Sequence, residues 1–151
     1  MNSVRDLVEN LDRQFAELHR TSCKLVLDLS PESLYARADD GSDETCGHQT
    51  LRSAAAIEQS FGGLTANLWD DPFEWTLPET LNTPAKVREY LNEVEDLRKR
   101  AFLAFTDDAD LSKEIMTPAG RAQILPFLLD TLKRARHHQQ RALKVFEALT
   151  H

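Results

Sequence analysis

The feature that most constrains the fold is an apolar stripe near the start of the chain. Its residues follow one another at intervals of four and three positions, and all are apolar except Ser22. They are Val4, Val8, Leu11, Phe15, Leu18, Ser22, Leu25 and Leu29. This spacing places them on one face of an α-helix of about seven turns, and that face should be buried. Ser3 and Asp6 resemble a capping box at its start, and Pro31 prevents its continuation. The spacing therefore predicts a long amphipathic helix.

Three later segments carry the same helical spacing. We expect a second long helix over 48–61 that stops or bends at Gly62-Gly63, a third that starts at Thr83-Pro84, and a last over 121–149. Ser30 followed by Pro31 predicts a short helix over 31–36. Residues 38–47 are expected to form an exposed acidic loop, and residues 70–82 and 106–120 are expected to form long connections. No β-strand is expected anywhere in the chain. We therefore predict an all-α, four-helix bundle in one domain over 1–151, with long crossover connections.

Composition narrows the classes of function. The 151 residues are 41% hydrophobic and 28% charged, as in ordinary globular proteins, and the net charge of −7 argues against a general nucleic-acid binder. No apolar run approaches the roughly 18 residues of a membrane span, and the charged, periodic start is unlike a signal peptide. Cys23 and Cys46 form no CxxC pair. We expect a cytoplasmic protein with ordinary reduced thiols.

Two histidines on the last helix are the first candidate site. His138 shares a helical face with the small residues Thr131, Ala135 and Ala142, and the second helix has a matching small patch over 53–56. Small residues around an inward imidazole either leave space for a ligand or let two helices approach closely. In the simpler interpretation, His138 is hydrogen-bonded at the rim of a closely packed bundle. His19 and His151 are expected on the surface.

The last helix, LLDTLKRARHHQQRAL, resembles the final helix of the DinB/YfiT-like superfamily of four-helix-bundle metalloenzymes, with His137-His138 where that family carries paired histidines. The SPESLYARA segment, the helix near His48, the TPA start of the third helix and the Pro-Ala-Gly turn fit the same pattern. The resemblance covers most of the chain through spacing. It implies a DinB-like bundle, with relatives that are metal-dependent, partly thiol-using, transferases, isomerases and detoxification enzymes.

The metal ligands that the resemblance implies are largely replaced in this chain. The family's three histidines would fall at Ser53, Arg134 and His138, and an arginine repels a cation. A catalytic metal needs about three protein ligands and an open position. Only His138, the adjacent His137 and the distant His48 remain as candidates. We therefore expect no resident cofactor, and zinc or nickel is the candidate if a metal binds.

The last helix also carries a run of basic residues. No acid interrupts the segment between Thr131 and Val145, which contains Lys133, Arg134, Arg136, Arg141 and Lys144. Such a run suits the C-terminal end of a helix dipole, and it also suits a small anionic ligand such as a phosphate or carboxylate. An inward Arg134 would need an acidic partner, for which Glu58 and Asp130 are candidates. Such an ion pair would occupy the place of the metal.

The connection LWDDPFEWTLPE contains both tryptophans, Trp69 and Trp75, with Phe73 between them. Aromatic residues in a long connection pack on their own bundle, cover a pocket or contact a second subunit. These alternatives stay open, and we expect a homodimer.

Two functions follow from the sequence. The first is a bundle without an intact three-histidine metal site that binds a small molecule or a protein. The alternative is a divalent-metal-dependent transferase or hydrolase, with or without dependence on a thiol, so enzymatic activity stays undecided at this point.

Overall fold

The computed structural model describes residues 4–38, 43–72 and 76–150, which are mostly helical. In these residues the α-helices are α1 (Asp6–Leu27), α2 (Pro31–Leu34), α3 (Cys46–Ala66), α4 (Pro84–Phe102) and α5 (Ile124–Leu149). A 3-10 turn (Asp108–Ser112) and two short strands, β1 (Glu114–Thr117) and β2 (Gly120–Gln123), connect α4 to α5. Helix α3 packs on α4 and α5, and α1 packs on the same two helices.

Two of the predicted helix starts are confirmed in detail. The Ser30 hydroxyl accepts a hydrogen bond from the Ser33 amide at 3.1 Å at the start of α2. The Thr83 hydroxyl accepts one from the Lys86 amide at 3.2 Å at the start of α4. In both helices a proline occupies the first turn, where it gives up no intrahelical hydrogen bond.

Helix α1 is capped from a distant part of the chain. The Asp108 carboxylate accepts hydrogen bonds from the amides of Leu7 and Val8 at 3.1 and 3.0 Å. A negative charge at a helix N-terminus satisfies free amides and complements the helix dipole. This contact fixes the 3-10 turn to the start of α1. The predicted cap at Ser3 lies outside the described residues.

Helix α3 is longer than expected and does not stop at Gly62-Gly63. It runs through both glycines to Ala66, and Asn67, whose φ of 56° is left-handed, caps its end. A Cβ on Gly63 would lie 2.3 Å from the Trp69 ring, so this glycine lets the tryptophan fold back onto the helix. The prediction was that the helix stops or bends at these glycines, and a stop was wrong because Gly63 serves this close tertiary contact.

The acidic loop, which was predicted over 38–47, is shorter in the structure. Ala38 and Thr45 are buried, and Cys46 and Gly47 already belong to α3. The Thr45 hydroxyl accepts a hydrogen bond from the His48 amide at 3.1 Å and so begins the helix two residues early. Residues 39–42 lie outside the described part.

A small antiparallel hairpin corrects the expectation of a chain without strands. Ile115 pairs with Ala122, and Met116 pairs with Arg121. Gly120, with a φ of 117°, completes the tight turn in a conformation that side chains disfavour. Each strand has four residues, too few for an alternating pattern to stand out in the sequence. Helix α5 therefore starts at Ile124 rather than at Arg121.

Aromatic rings form the centre of the core. The Phe15 ring lies edge-on to Phe61 and Phe102, with centroids 5.4 and 5.9 Å apart, and so joins α1 to α3 and α4. Arg98 is fully buried beside these rings, with its guanidinium carbon 5.0 Å from the Phe102 centroid. The buried face of α4 thus includes a charged side chain, Arg98, which pairs with Glu95 and Asp12.

Candidate functional site

Helices α3 and α5 approach closely through small polar residues. The Ser53 hydroxyl donates a hydrogen bond to the Ala135 carbonyl at 2.7 Å, and the Ser60 and Thr131 hydroxyls lie 2.6 Å apart. Ser53, Ser60, Thr131 and Ala135 are all buried. Ser53, which the resemblance aligns with a metal ligand, therefore forms a helix contact.

His138 lies on the same seam, one turn further along α5. Its Nδ1 is 2.8 Å from Oε1 of Gln49, a buried residue of α3. Because an amide oxygen only accepts, Nδ1 carries the proton and Nε2 of the neutral ring keeps its lone pair. The small residues thus allow both features that the sequence suggested: close packing, and a hydrogen-bonded histidine at its edge.

A cavity of about 130 Å³ opens beside this histidine. Two alanines of α3 leave room for it, and its described lining consists of Arg52, Ala55, Ala56, Gln59, Asp71, Arg134 and His138. Among these residues two are arginines and one, Asp71, is acidic. We name this space the α3/α5 pocket.

The α3/α5 pocket is electrostatically positive at His138. Burial lowers the pKa of the His138 imidazole, and the charges of His137, Arg52, Arg141 and Arg134 lower it further. All of these neighbouring charges act in the same direction. The pocket therefore disfavours an added positive charge and favours a negative one.

Arg134 is held at the edge of the pocket. Its Nε donates to the Asp130 carboxylate at 3.0 Å, and its Nη2 lies 3.5 Å from the Ser60 hydroxyl. Its side chain is 43% exposed, so this ion pair is at the rim and not in the core. Of the two predicted acidic partners, Asp130 contacts Arg134. Glu58 lies elsewhere and lines a groove between α3 and α4.

Of the other two candidate metal ligands, His137 lies beside His138, with ring centroids 5.3 Å apart, but no third ligand completes a set with them in the described residues. Exposed His137 has its Nε2 3.3 Å from a guanidinium nitrogen of Arg141. His48 packs edge-on against Tyr35, with ring centroids 5.8 Å apart. In the described part of the chain no group of three or more metal-ligating side chains comes together.

The residues at the positions where the resemblance implies metal ligands do not fit a three-histidine centre. The Ser53 hydroxyl is engaged with a backbone carbonyl, and a guanidinium has no lone pair to give to a metal. His138 is the one histidine of the three. Of these three positions, Arg134 offers the N–H donors that suit hydrogen bonding to a negative group.

Of the aromatic candidates, Trp69 packs on its own chain. Its ring lies edge-on to Phe127 of α5, with centroids 5.8 Å apart, and its Nε1 donates to Asn67 at 2.8 Å. Phe73 and Trp75 lie outside the described residues. A role for them at a dimer contact or a pocket entrance stays a prediction.

One contact between a thiol and an imidazole was missed in the sequence. The Cys23 sulfur lies 3.6 Å from Nε2 of His19, one turn away on α1, and His19 is half-buried rather than on the surface. The spacing of four residues could have shown it. Burial raises the pKa of the Cys23 thiol and lowers the pKa of the His19 imidazole. The neutral thiol and the neutral imidazole are therefore both favoured. Buried Cys46 has a pKa raised to about 11. Neither thiol has the low pKa of an activated nucleophile.

Comparisons with family models, curated proteins and solved structures give no match, so the argument for function rests on the residues of this chain. No helix among the described residues is long and apolar enough to cross a membrane.

Proposed function

We propose that this protein binds a small anionic molecule in the α3/α5 pocket. The ligand would be a phosphate or a carboxylate group, held by Arg134 and Arg52, and Nε2 of His138 would donate to it when the ring is protonated. Guanidinium groups are well suited to such oxygens because they offer paired N–H donors in a fixed plane.

The observation that carries the proposal is the charge around His138. The pKa of this imidazole is lowered by burial and by the neighbouring side chains of His137, Arg52, Arg141 and Arg134, three of which are guanidinium groups. The cavity beside it has room for a group of a few atoms, because its floor is made of two alanines. Asp71 lines the pocket and Asp130 pairs with Arg134, so these two carboxylates offset part of the positive charge of the two arginines.

The proposal includes a DinB/YfiT-like four-helix bundle in which the metal site is replaced. Support comes from the packing of α1 and α3 against both α4 and α5. It also comes from the identity of the aligned residues, because Ser53 and Arg134 stand where the resemblance implies histidines. In this proposal the positive charge of a metal ion is supplied by arginine side chains.

A calorimetric titration tests the proposal. Inorganic phosphate and malonate are added separately to the protein at pH 7 and low ionic strength, because salt screens half-exposed charges. For a small anion at such a site we expect saturable binding with a Kd of about 1 mM, or about 4 kcal/mol. Arg134→Gln should weaken binding at least about fivefold, since a charge-assisted hydrogen bond is lost.

Arg136→Gln is the matched control. Arg136 lies two residues away on α5 and donates to Gln14 of α1, away from the pocket. Arg136 carries the same charge as Arg134, so a general effect of the lost positive charge would weaken anion binding equally in both variants. Binding that is equally weak in both variants, or no saturable binding of either anion, would contradict the proposal. Saturable zinc binding that His138→Ala removes would favour the metal-dependent alternative.

A further inference from the structure

The segment that follows α3 folds back over this helix and reaches the α3/α5 pocket. The Trp69 carbonyl accepts a hydrogen bond from Nε2 of Gln59 at 2.9 Å. The Trp69 ring lies against Gly63 of α3 and Phe127 of α5. These contacts hold the segment on both helices, and they place Asp71, two residues further on, in the lining of the pocket.

The charges of the α3/α5 pocket are divided between two sides. Burial lowers the pKa of His138, and the cationic groups that lower it further include Arg52 and Arg134. Asp71 lies towards α4: burial raises the pKa of the Tyr90 hydroxyl on that helix, and the negative charge of Asp71 contributes to the increase. The pocket therefore has a positive side at His138 and a negative side towards α4.

Gln59 adds a neutral acceptor to the lining that it shares with Asp71. The hydrogen bond from its Nε2 to the Trp69 carbonyl fixes the orientation of the amide. Its Oε1 accepts no hydrogen bond from another of the described residues. An amide oxygen and a carboxylate only accept, whereas guanidinium groups only donate. The lining thus offers acceptors as well as donors, and a simple anion would use only the donors.

The volume of the pocket sets the size of its ligand. About 130 Å³ corresponds to about four water molecules at the roughly 30 Å³ that each takes in the liquid. Ala55 and Ala56 leave this space because their side chains end at Cβ. The space suits a molecule of a few atoms in which an anionic and a cationic group are close together.

We propose that the α3/α5 pocket binds a small zwitterion, an amino acid whose carboxylate and ammonium groups are separated by one or two carbon atoms. Its carboxylate is bound by Arg134 and Arg52, and its ammonium group donates to Asp71 and to Oε1 of Gln59. This inference rests on the proposed function, because it names the class of anion that the pocket takes. Asp71 selects the ligand, since it attracts an ammonium group and repels a second carboxylate.

Three probes with three carbon atoms each test this selection. β-Alanine, propionate and malonate share one carboxylate, and they end in an ammonium group, a methyl group and a second carboxylate. Each is titrated into the full chain at pH 7 and low ionic strength, and binding is followed by NMR at the His138 imidazole. We expect β-alanine to bind at least about threefold more tightly than propionate. If β-alanine binds no more tightly than propionate, the inference is wrong.

Asp71→Asn locates the ammonium group. Asp71 is exposed, and asparagine keeps the shape of its side chain without the charge. The preference for β-alanine over propionate should fall below about twofold in this variant, and malonate should bind more tightly because a repulsion is removed. Asp70→Asn is the matched control, since Asp70 is the adjacent acid and lines the groove between α3 and α4. A preference that persists in Asp71→Asn, or that falls equally in Asp70→Asn, would overturn the assignment.

The inference and the proposed function fail in different ways. Malonate binding that depends on Arg134, without a preference for β-alanine, would refute the zwitterion and leave anion binding intact. If none of the three acids binds, both are refuted. Circular dichroism of each variant verifies that it is folded.

Discussion

Replacement of Arg98 by methionine should be among the most destabilising substitutions in this protein. The Arg98 side chain is fully buried, and its Nε donates to Glu95 at 2.8 Å, with the Glu95 side chain only 7% exposed. Its Nη1 contacts Asp12, whose side chain is 54% exposed. Methionine fills a similar volume but leaves the Glu95 carboxylate buried without a cation.

The expected magnitude follows from that unpaired carboxylate. Loss of one partner of a buried ion pair costs about 3–5 kcal/mol, which corresponds to a fall in Tm of roughly 6–20 °C for a domain of this size. The further loss of the guanidinium contacts with the Phe15 and Phe102 rings adds to the cost. Urea unfolding followed by far-UV circular dichroism measures the change in the free energy of unfolding.

A double substitution separates the destabilisation caused by the unpaired charge from that caused by lost packing. Arg98→Met with Glu95→Leu removes both charges and should recover most of the lost stability, because a buried ion pair is often replaceable by apolar residues. Asp12→Asn should cost less than about 1 kcal/mol, since Asp12 is half exposed. A loss below about 1 kcal/mol in Arg98→Met, or a double variant as unstable as the single one, would refute this reasoning.

Three further predictions concern packing and pH. Gly63→Ala should cost about 1–3 kcal/mol and change tryptophan fluorescence, because the added methyl would displace the Trp69 ring; unchanged stability and emission would contradict it. The pKa of Glu58 is raised in the folded state, so its charged form opposes folding: Glu58→Gln should raise Tm at pH 7 and have no such effect at pH 4, below the ordinary value of 4.5. The pKa of His138 is lowered, so its contribution to stability is lost as pH falls below its ordinary value of 6.5. The plot of Tm against pH should therefore flatten in part in His138→Gln, and an unchanged slope would show that this imidazole does not contribute.

The helices were the most predictable part of the fold. The stripes of α1 and α4 and the Ser-Pro and Thr-Pro starts depend on local spacing and capping, which the sequence displays directly. The continuation of α3 past Gly62 depends on Trp69, which folds back onto Gly63 from six residues away. The Asp108 cap of α1 depends on residues about 100 positions apart, and such tertiary contacts leave no local pattern.

The candidate sites were predictable to different degrees. Arg134, Asp130 and His138 were found because they lie on one face of a helix, and the pairing of Arg134 with Asp130 has the ordinary spacing of four residues. Arg52 was missed, since nothing in the sequence relates it to α5. The place of Asp71 in the pocket depends on how the segment after α3 folds back onto that helix, so no spacing rule could reveal it.

The most direct test of anion binding in the α3/α5 pocket is an NMR titration of His138 with and without sulfate. Sulfate keeps its charge of −2 across the pH range in which histidine titrates, so its own protonation does not contribute. A dianion beside Arg134 and Arg52 would stabilise the protonated imidazole, so saturating sulfate should raise the pKa of His138 and leave that of His19 on α1 unchanged. A His138 pKa that sulfate leaves unchanged, or that moves together with that of His19, would contradict binding at this pocket.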